Sequence, residues 1–195
     1  MIIKLDFKIN IDDLKKYLEF VQKFSPPFMK KNGPWGGWSI TSSTGELFDG
    51  WQTGEKAYAD GADEQEKKAI MDFFNKSNFN KPTPIYNDFI AKLLKQIHSE
   101  IPDLKLSRIR IAVLKPHPES EAYWHQDSDG AQVFRLHIPI ITNDQCFFDY
   151  QNERHHLLAD GSLYLIDVGP LHRAVNNSKL DRFHIIADAY LEKTK

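Results

Sequence analysis

Two histidines and one aspartate are the residues of this sequence best suited to bind a metal and support catalysis: His125, Asp127 and His172. Two imidazoles and one carboxylate form a facial triad, which holds a non-haem iron(II) and leaves further coordination positions open for chemistry. Ten positions after the last of them stands Arg182, whose planar guanidinium suits a bidentate contact with the far carboxylate of a dicarboxylic co-substrate. Together the four residues predict an iron-dependent oxygenase that consumes 2-oxoglutarate and O2.

The spacing of these residues supports a shared metal. Side chains at positions i and i+2 of a β-strand point to the same face, so His125 and Asp127 can reach one metal from one short strand. His172 lies 47 positions further on, which leaves room for several strands that return it to the same place. The triplet alone is common in proteins. The prediction depends on its combination with the distal histidine and the arginine in β-rich sequence.

A second pair of polar side chains, Arg135 and His137, shares one face of a predicted strand whose other face is apolar. Two such side chains facing a barrel interior predict a carboxylate beside them, since a buried cation without a partner is costly. That carboxylate is either the metal-binding end of 2-oxoglutarate or the carboxylate of an amino-acid substrate.

Three further residues have two interpretations each. His184 shares the predicted strand face of Arg182 and either lines the pocket or has a structural role. Arg110, on the first long strand, is a weaker candidate for the site, the alternative being a solvent-facing salt bridge. Trp124 is either a lid or a packing residue.

Two other groups of residues resemble sites only in part. His155 and His156 are adjacent, so on a strand they point to opposite faces, and we expect them at the surface rather than on one metal. The segment 35–38 holds two tryptophans and two glycines. It forms either the lip of a small-molecule site or part of the core.

The composition is that of a globular protein and excludes some classes of function. The chain has 195 residues, of which 41% are apolar and 27% charged, enough for one domain with a sizeable core. Its net charge of −2 favours neither nucleic acid nor an anionic membrane as a partner. The one cysteine, Cys146, excludes an intrachain disulfide and is expected to be a buried thiol. Since no stretch resembles a signal peptide or a membrane span, we expect a cytoplasmic protein.

The hydrophobic pattern predicts helices early in the chain and strands later. One helix is expected after a cap at Asn10 or Asp12, a second over about 63–74 and a third over about 85–99, with an opening strand before them and a short strand at 39–42. From residue 106 the sequence consists of segments rich in β-branched and aromatic residues, which are separated by turn residues. These predict strands near 106–114, 122–127, 132–141, 146–150, 154–158, 162–167, 172–176 and 182–190.

Eight short strands in succession favour a double-sheet jelly roll or cupin-like barrel, with the helices bracing one sheet from outside. The fold class is therefore α+β. We expect a single domain over 1–195, in which residues 1–104 are mainly helical with a few strands and residues 105–195 form the catalytic β-helix core.

Several segments in this core resemble the aspartyl/asparaginyl β-hydroxylase family of 2-oxoglutarate oxygenases. They are WHQD at 124–127, RLHIPIITN at 135–143, GSLYLID at 161–167, HRAVNNS at 172–178 and RFH at 182–184. The resemblance runs from about 106 to 191 and implies a double-stranded β-helix. It also implies iron at His125, Asp127 and His172, 2-oxoglutarate at Arg182, and a role for Arg135 and His137 near co-substrate or substrate.

The sequence departs from the eukaryotic enzymes of this family, which lack the carboxylate ligand that Asp127 supplies here. In this respect it is more similar to bacterial members that hydroxylate free amino acids such as proline. We therefore expect hydroxylation of a C–H bond of a free amino acid or a peptide residue, with release of succinate and CO2 and with ascorbate as a supporting reductant. Asp127 argues against a halogenase, because chloride needs the position of that carboxylate.

Three alternatives stay open at this point. The same site could carry out another oxidation, such as desaturation or demethylation. The chain could be a non-catalytic cupin-like sensor that binds a metal or 2-oxoglutarate without turnover. It could also be a zinc- or manganese-binding cupin with isomerase or hydrolase chemistry.

Overall fold

The computed structural model describes residues 1–31, 33–51, 63, 65, 78–127 and 134–191. The secondary structure of these residues begins with strands and helices in alternation and ends in strands. The helices that lie wholly within these residues are α1 (Ile11–Phe24) and α2 (Asp88–Glu100), with a 3-10 turn at Glu119–Glu121. The strands are β1 (Ile2–Lys8), β2 (Phe28–Met29), β3 (Trp35–Ser39), β4 (Thr41–Ser42), β5 (Lys81–Pro82), β6 (Leu104–Leu114), β7 (Phe134–Ile141), β8 (Cys146–Tyr150), β9 (Glu153–His155), β10 (Ser162–Asp167), β11 (His172–Asn176) and β12 (Arg182–Leu191).

Two antiparallel sheets dominate the architecture. The larger has seven strands in the order β1-β10-β7-β12-β6-β3-β2, and the smaller has three in the order β11-β8-β9. Residues from both sheets share one apolar cluster, in which Leu114 and Ile166 of the large sheet meet Phe148 and Ala174 of the small one. The sheets therefore face each other, as the predicted jelly-roll barrel requires.

The two helices cover the outer face of the large sheet. The side chain of Asn10 caps α1 by accepting hydrogen bonds from the backbone N–H groups of Asp12 and Asp13. Asn87 caps α2 in the same way through the N–H of Ile90. The apolar faces of both helices enter the main core cluster together with alternate residues of the large sheet, so the prediction that helices brace this sheet is correct. Neither helix in the described part of the chain is long and apolar enough to cross a membrane.

Strand β12 shows how alternation divides polar from apolar side chains. Phe183 and Ile185 belong to the core under the helices, whereas Ile186 belongs to a separate cluster on the other face. Arg182 and His184, four and two positions before Ile186 respectively, share that inner face. Burying polar groups between the sheets costs free energy unless they meet partners or a ligand. Their placement therefore indicates a binding site inside the barrel.

Four predicted elements differ from the structure. The strand predicted over 122–127 is wrong, because only His125 forms a bridge there and no ladder extends on either side of it. The strand predicted over 154–158 is shorter and ends at His155. The strand predicted over 39–42 is interrupted at Ile40, where one sheet ends and a separate two-stranded sheet begins. The third helix starts at Asp88, three residues later than predicted, while the helix predicted over 63–74 lies outside the described residues.

The segment 35–38 forms strand β3 and contributes to the core. The indole of Trp38 is 1% exposed and donates a hydrogen bond of 2.9 Å to the carbonyl of Ser25. Gly37 has φ 147°, and a Cβ atom there would lie 1.8 Å from the carbonyl oxygen of Ile111 on β6. A glycine is thus required for the close approach of β3 to β6. Of the two interpretations of this segment, core packing holds for Trp38.

We expect Gly37→Ala to lower the free energy of unfolding by more than about 2 kcal/mol, since it combines an unfavourable φ with a backbone collision. Gly33→Ala is the matched control, because a Cβ there meets only the side chain of Trp35 at 3.2 Å. Chemical denaturation of both variants measures the effect. Equal unfolding midpoints would contradict this account of β3.

Candidate active site

Backbone hydrogen bonds hold the two predicted histidine ligands next to each other. The N–H of His125 donates to the carbonyl of His172 at 2.9 Å, and the N–H of His172 donates back to the carbonyl of His125 at 2.9 Å. This bridge adds the segment around His125 to the edge of the small sheet, next to β11. The N–H of Asp127 is held by the carbonyl of Val168 at 3.1 Å. Three backbone contacts thus fix the positions of all three residues.

The three side chains converge on one point. Asp127 Oδ1 lies 3.9 Å from His125 Nε2, and Asp127 Oδ2 lies 3.8 Å from His172 Nε2. One potential ligand atom from each residue lies within 4.8 Å of the other two. The structure therefore gathers the residues that the sequence singled out.

His172 is held in one orientation and one tautomer. Its Nδ1 lies 2.9 Å from the carbonyl oxygen of Pro170, so Nδ1 carries the proton and Nε2 keeps its lone pair for a metal. The ring of Phe148 stacks on it at 5.1 Å with an interplanar angle of 14°. Burial lowers the pKa of His172, opposed in part by the hydrogen bond to Pro170. The imidazole is therefore neutral at pH 7, as a metal ligand must be.

Asp127 is held as a carboxylate by its neighbours. Its side chain is 20% exposed, and Arg135 Nη1 lies 2.7 Å from Asp127 Oδ2. Burial by itself raises the pKa of Asp127, but the charge of Arg135 and smaller contributions from other basic neighbours together outweigh this effect, and the pKa falls below its ordinary value. Asp127 is thus ionised at neutral pH.

Arg135 contacts a candidate metal ligand directly, and this contact has a testable consequence. We expect Arg135→Gln to weaken binding of a divalent metal by roughly 10- to 100-fold, the loss typical when the hydrogen-bonded partner of a ligating group is removed. Competition with a chelator, in the absence of 2-oxoglutarate, measures the metal affinity. An unchanged affinity would mean that Arg135 serves the co-substrate alone.

The donor set fits iron(II). Two neutral imidazole nitrogens and one ionised carboxylate oxygen are the protonation states that metal binding needs, and they are the states that the surroundings of His172 and Asp127 favour. A non-haem iron(II) site with open positions uses this combination of donors.

A second group of polar side chains lies deeper between the sheets, around Arg182. The arginine is 5% exposed, and burial lowers its pKa to about 10, so it stays protonated at neutral pH. Within the described part of the chain no carboxylate lies at ion-pair distance from it. Next to it, His137 Nδ1 lies 3.4 Å from His184 Nδ1, which leaves the Nε2 atoms of both rings buried without a hydrogen-bond partner among the described residues.

Burial, and then the charge of Arg182, lowers the pKa of both His137 and His184 well below the ordinary value, so both rings are neutral. One fixed cation and two neutral imidazoles with unsatisfied nitrogens form a site for an anion that can also exchange hydrogen bonds. A carboxylate of 2-oxoglutarate has these properties.

Aromatic contacts connect this anion site to the triad. Phe148, which stacks on His172, also meets the ring of His137 edge to face at 6.0 Å. His137 in turn contacts His184 at 5.7 Å. His137 also experiences the charges of Arg182 on one side and Arg135 on the other. The triad is therefore linked to the surroundings of Arg182 through Phe148 and His137.

A cluster of charged side chains lies beside the triad. Asp188 accepts contacts from Arg108, whose Nε lies 2.8 Å from Oδ2 and whose Nη2 lies 3.0 Å from Oδ1. Arg135 Nε lies 3.5 Å from Asp188 Oδ1, and Arg110 Nη2 lies 3.9 Å from the same atom. The solvent-facing alternative for Arg110 is therefore wrong, because this side chain is only 8% exposed and stacks over the ring of Trp51 at 4.8 Å.

Two sequence-based expectations need correction or refinement here. His156 is not a surface residue, since its Nε2 is buried without a partner among the described residues and its charge would affect His184. The chain leaves β9 after His155, so strict alternation no longer applies to the next residue. His155 is partly exposed and lies 3.0 Å from Glu153, as a surface position requires. Trp124 lies under the guanidinium of Arg173 at 4.7 Å, a packing contact that supports the second interpretation of that residue.

The sequence reasoning missed Phe148, Trp51, Arg108 and Asp188. Asp188 lies six residues after Arg182 on the same strand, so alternation could have placed it on the inner face. The roles of Phe148 and Trp51 depend on contacts between distant strands and have no local signal. Cys146 is buried and free, as predicted.

The fold and this site together define a double-stranded β-helix of the oxygenase type. Among solved structures, an oxidoreductase of the 2OG-Fe(II) oxygenase family from Burkholderia pseudomallei matches with a TM-score of 0.50 and 10% identity, over 96% of this chain and 83% of that chain. The non-haem alpha-ketoglutarate-dependent epimerase SnoN of nogalamycin biosynthesis matches with a TM-score of 0.51 and 9% identity, over 97% of this chain and 77% of that chain. At this identity the likeness establishes the shared fold, and the predicted fold class is confirmed.

A family model described as aspartyl/asparaginyl beta-hydroxylase matches residues 51–191, more than half of the chain. The chain therefore belongs to the aspartyl/asparaginyl β-hydroxylase family, a family of 2-oxoglutarate-dependent hydroxylases. This confirms the resemblance found in the sequence. No curated protein matches the chain.

Proposed function

We propose that this protein hydroxylates a C–H bond of a free amino acid or of a peptide residue, with iron(II), 2-oxoglutarate and O2. The reaction consumes one O2 and one 2-oxoglutarate and forms the hydroxylated product, succinate and CO2. His125, Asp127 and His172 hold the iron, and Arg182 binds the distal carboxylate of 2-oxoglutarate. Arg135 and His137 would contact the co-substrate or the substrate.

One observation carries this proposal: a compact set of two imidazoles and a carboxylate is connected, through Phe148 and His137, to a buried arginine that has no carboxylate partner in the described part of the chain. A structural metal site explains the first feature without the second. A non-catalytic barrel has no need to bury an uncompensated cation, because that costs several kcal/mol unless an anion binds. An anionic co-substrate that also reaches the metal accounts for both.

The iron and 2-oxoglutarate, when bound, supply the oxidising power that activates O2 and attacks a C–H bond. The residues of the chain contribute orientation and protonation states. His172 is fixed by Pro170 and Phe148 so that its Nε2 faces the site. Arg135 keeps Asp127 ionised and directs its carboxylate. The apolar residues that connect the sheets exclude water from the reacting centre.

The polar residues around Arg182 orient the co-substrate. The guanidinium binds the distal carboxylate, and the free Nε2 atoms of His137 and His184 are placed to exchange hydrogen bonds with the bound anion or with water that accompanies it. Because both rings are neutral, they add directionality without adding charge. The site would thereby favour a ligand whose anionic end binds at Arg182.

Anaerobic titration of the purified protein tests this function. Iron(II) with 2-oxoglutarate is expected to give the weak visible charge-transfer band of the chelate, which zinc or manganese does not give. With O2 and ascorbate present, succinate is then measured against a panel of free amino acids and short peptides. A gain of one oxygen atom in the product mass indicates hydroxylation, whereas a loss of two hydrogens indicates desaturation.

Binding without turnover of any compound in the panel would favour the sensor alternative. The absence of both the band and succinate formation would contradict the proposed function. The metal content of the purified protein does not distinguish these alternatives, since purification often exchanges the metal.

A further inference from the structure

Within the described part of the chain, the charged cluster beside the triad contains more cationic than anionic groups. Among the described residues, the three guanidinium groups of Arg108, Arg110 and Arg135 contact only two carboxylates, those of Asp188 and Asp127. Asp188 is occupied by the two short contacts from Arg108, and Asp127 is a proposed metal ligand that already contacts Arg135. Arg110 is left with a contact of 3.9 Å to Asp188, longer than a hydrogen bond. Of the three arginines, it has the longest contact to a carboxylate of the described residues.

A β-bulge in β6 presents these arginines to one carboxylate. On β12 the residues Ile186 and Asp188 are two apart, but their partners on β6 are Arg110 and Ser107, three apart. The extra residue is accommodated at Arg108, which has φ 47° and is the one non-glycine residue with positive φ in the described part of the chain. Such a conformation costs of order 1 kcal/mol or more and occurs at sites where side chains must be re-aimed. Here Arg108 and Arg110 both reach Asp188 Oδ1, at 3.0 and 3.9 Å.

Arg110 and Trp51 each hold a buried N–H group without an acceptor. The side chain of Arg110 is 8% exposed and Trp51 is 6% exposed. Neither Arg110 Nε nor Trp51 Nε1 has a hydrogen-bond partner in the described part of the chain. Trp51 packs against Ala112 and Ile186, which lie on the inner face of the large sheet. Two adjacent unsatisfied donors, one of them cationic, are a costly arrangement unless a ligand supplies the acceptor.

Arg110 is also close enough to the triad to affect it. The charge of Asp127 acts on Arg110, and the charge of Arg110 acts on His137. The distal carboxylate of 2-oxoglutarate has its own cation in Arg182, on the far side of His137. Arg110 is therefore available to a second anionic group beside the triad.

We propose that Arg110 and the indole N–H of Trp51 bind a carboxylate of the substrate and so select an amino acid or peptide that bears one. This rests on the proposed function, because it assigns the substrate end of the same site. Two sources of the group are compatible with this chemistry, the α-carboxylate of a free amino acid or chain terminus and the side-chain carboxylate of an acidic residue. Both require a bidentate or doubly hydrogen-bonded contact that an amide cannot make.

The test compares acids with amides in the anaerobic iron(II)–2-oxoglutarate complex. The probes are the free amino acids and the corresponding carboxamides, and the readout is the change that each compound causes in the visible charge-transfer band. At least one acid is expected to bind about tenfold or more tightly than its amide. Asparagine and the α-amide of aspartate separate the two sources, since each carries only one of the two carboxylates.

Variants then assign the effect to residues. Arg110→Gln is expected to weaken binding of that acid by about 30-fold or more while the affinity for 2-oxoglutarate stays within about twofold. Arg110→Lys should recover part of the loss, and Trp51→Phe should weaken the acid more than the amide. Lys92→Gln, which removes an exposed cation on α2, is the control and should change neither affinity.

Equal binding of acids and amides would overturn this inference, as would acid binding that is unchanged in Arg110→Gln. If Arg110→Gln does not fold, the inference is still tested by the acid–amide comparison in the parent protein and by the Trp51→Phe variant. A normal charge-transfer band with no response to any acid overturns the inference and leaves the proposed function standing. Absence of the band in the parent protein rejects the proposed function, and the assignment of Arg110 fails with it.

Discussion

His172→Ala is expected to reduce 2-oxoglutarate turnover by more than about 100-fold, beyond the 10- to 100-fold typical for loss of an outer partner of a metal ligand. The substitution removes one of two nitrogen donors and leaves a cavity against the ring of Phe148. The backbone bridge to His125 does not involve the side chain and should persist. Turnover is measured as succinate formed, and iron affinity by competition with a chelator.

The matched control is His155→Ala. This histidine lies in the same small sheet but is partly exposed and contacts only Glu153 among the described carboxylates, so iron affinity and turnover should be unchanged. His125→Ala tests the second nitrogen donor at a side chain that is 27% exposed, where less packing is lost. Retained iron binding in both His172→Ala and His125→Ala, with folding verified by circular dichroism, would contradict the assignment of the metal site.

Alternation along single strands predicted much of the site. The period of two placed Arg182 with His184, and Arg135 with His137, and both pairs lie between the sheets in the structure. The same period placed the apolar residues of these strands under the helices. These predictions succeed because the direction of a side chain on a regular strand depends only on its position in that strand. The class of fold followed from the number of short strands and the turn residues between them.

What the sequence did not predict depends on register, bulges and strand ends. The bulge at Arg108 changes which residues of β6 face Asp188, and no local sequence pattern predicts this bulge. His156 points inward because the chain leaves β9 one residue earlier. The stack of Phe148 on His172 requires the pairing of β8 with β11, in which Phe148 lies opposite Ala174. Pairing partners are set by the tertiary fold rather than by neighbours in sequence.

The segment around His125 is another place where the sequence did not predict the secondary structure. The strand predicted over 122–127 would have placed two ligands two residues apart on a common face. The structure achieves this with one bridge at His125 and one hydrogen bond from the N–H of Asp127 to Val168. Two anchoring contacts are sufficient to orient two side chains, and a ladder is unnecessary. The chemical requirement was therefore identified correctly, and the element assigned to meet it was wrong.

Arg182→Met is expected to weaken binding of 2-oxoglutarate by at least about 30-fold, because truncating one partner of a buried, hydrogen-bonded charge pair costs roughly 2–5 kcal/mol and each 1.4 kcal/mol is a factor of ten. Titration of the charge-transfer band measures this affinity. The same substitution should leave the melting temperature of the ligand-free protein unchanged or raise it. Arg182 is buried without a carboxylate partner in the described part of the chain, and a methionine of similar length removes the cost of that charge.

Weaker binding of 2-oxoglutarate together with an unchanged or higher melting temperature distinguishes a ligand-binding arginine from a structural one. Arg154→Met is the matched control, for which we expect the reverse result. Arg154 lies 2.8 Å from Asp149 and 2.6 Å from Glu119, and Asp149 is itself 4% exposed. Its removal leaves a buried carboxylate with fewer partners, so the melting temperature should fall while affinity for 2-oxoglutarate stays the same. If Arg182→Met lowered the melting temperature as Arg154→Met does and bound 2-oxoglutarate normally, Arg182 would be a structural residue and the anion site would lie elsewhere.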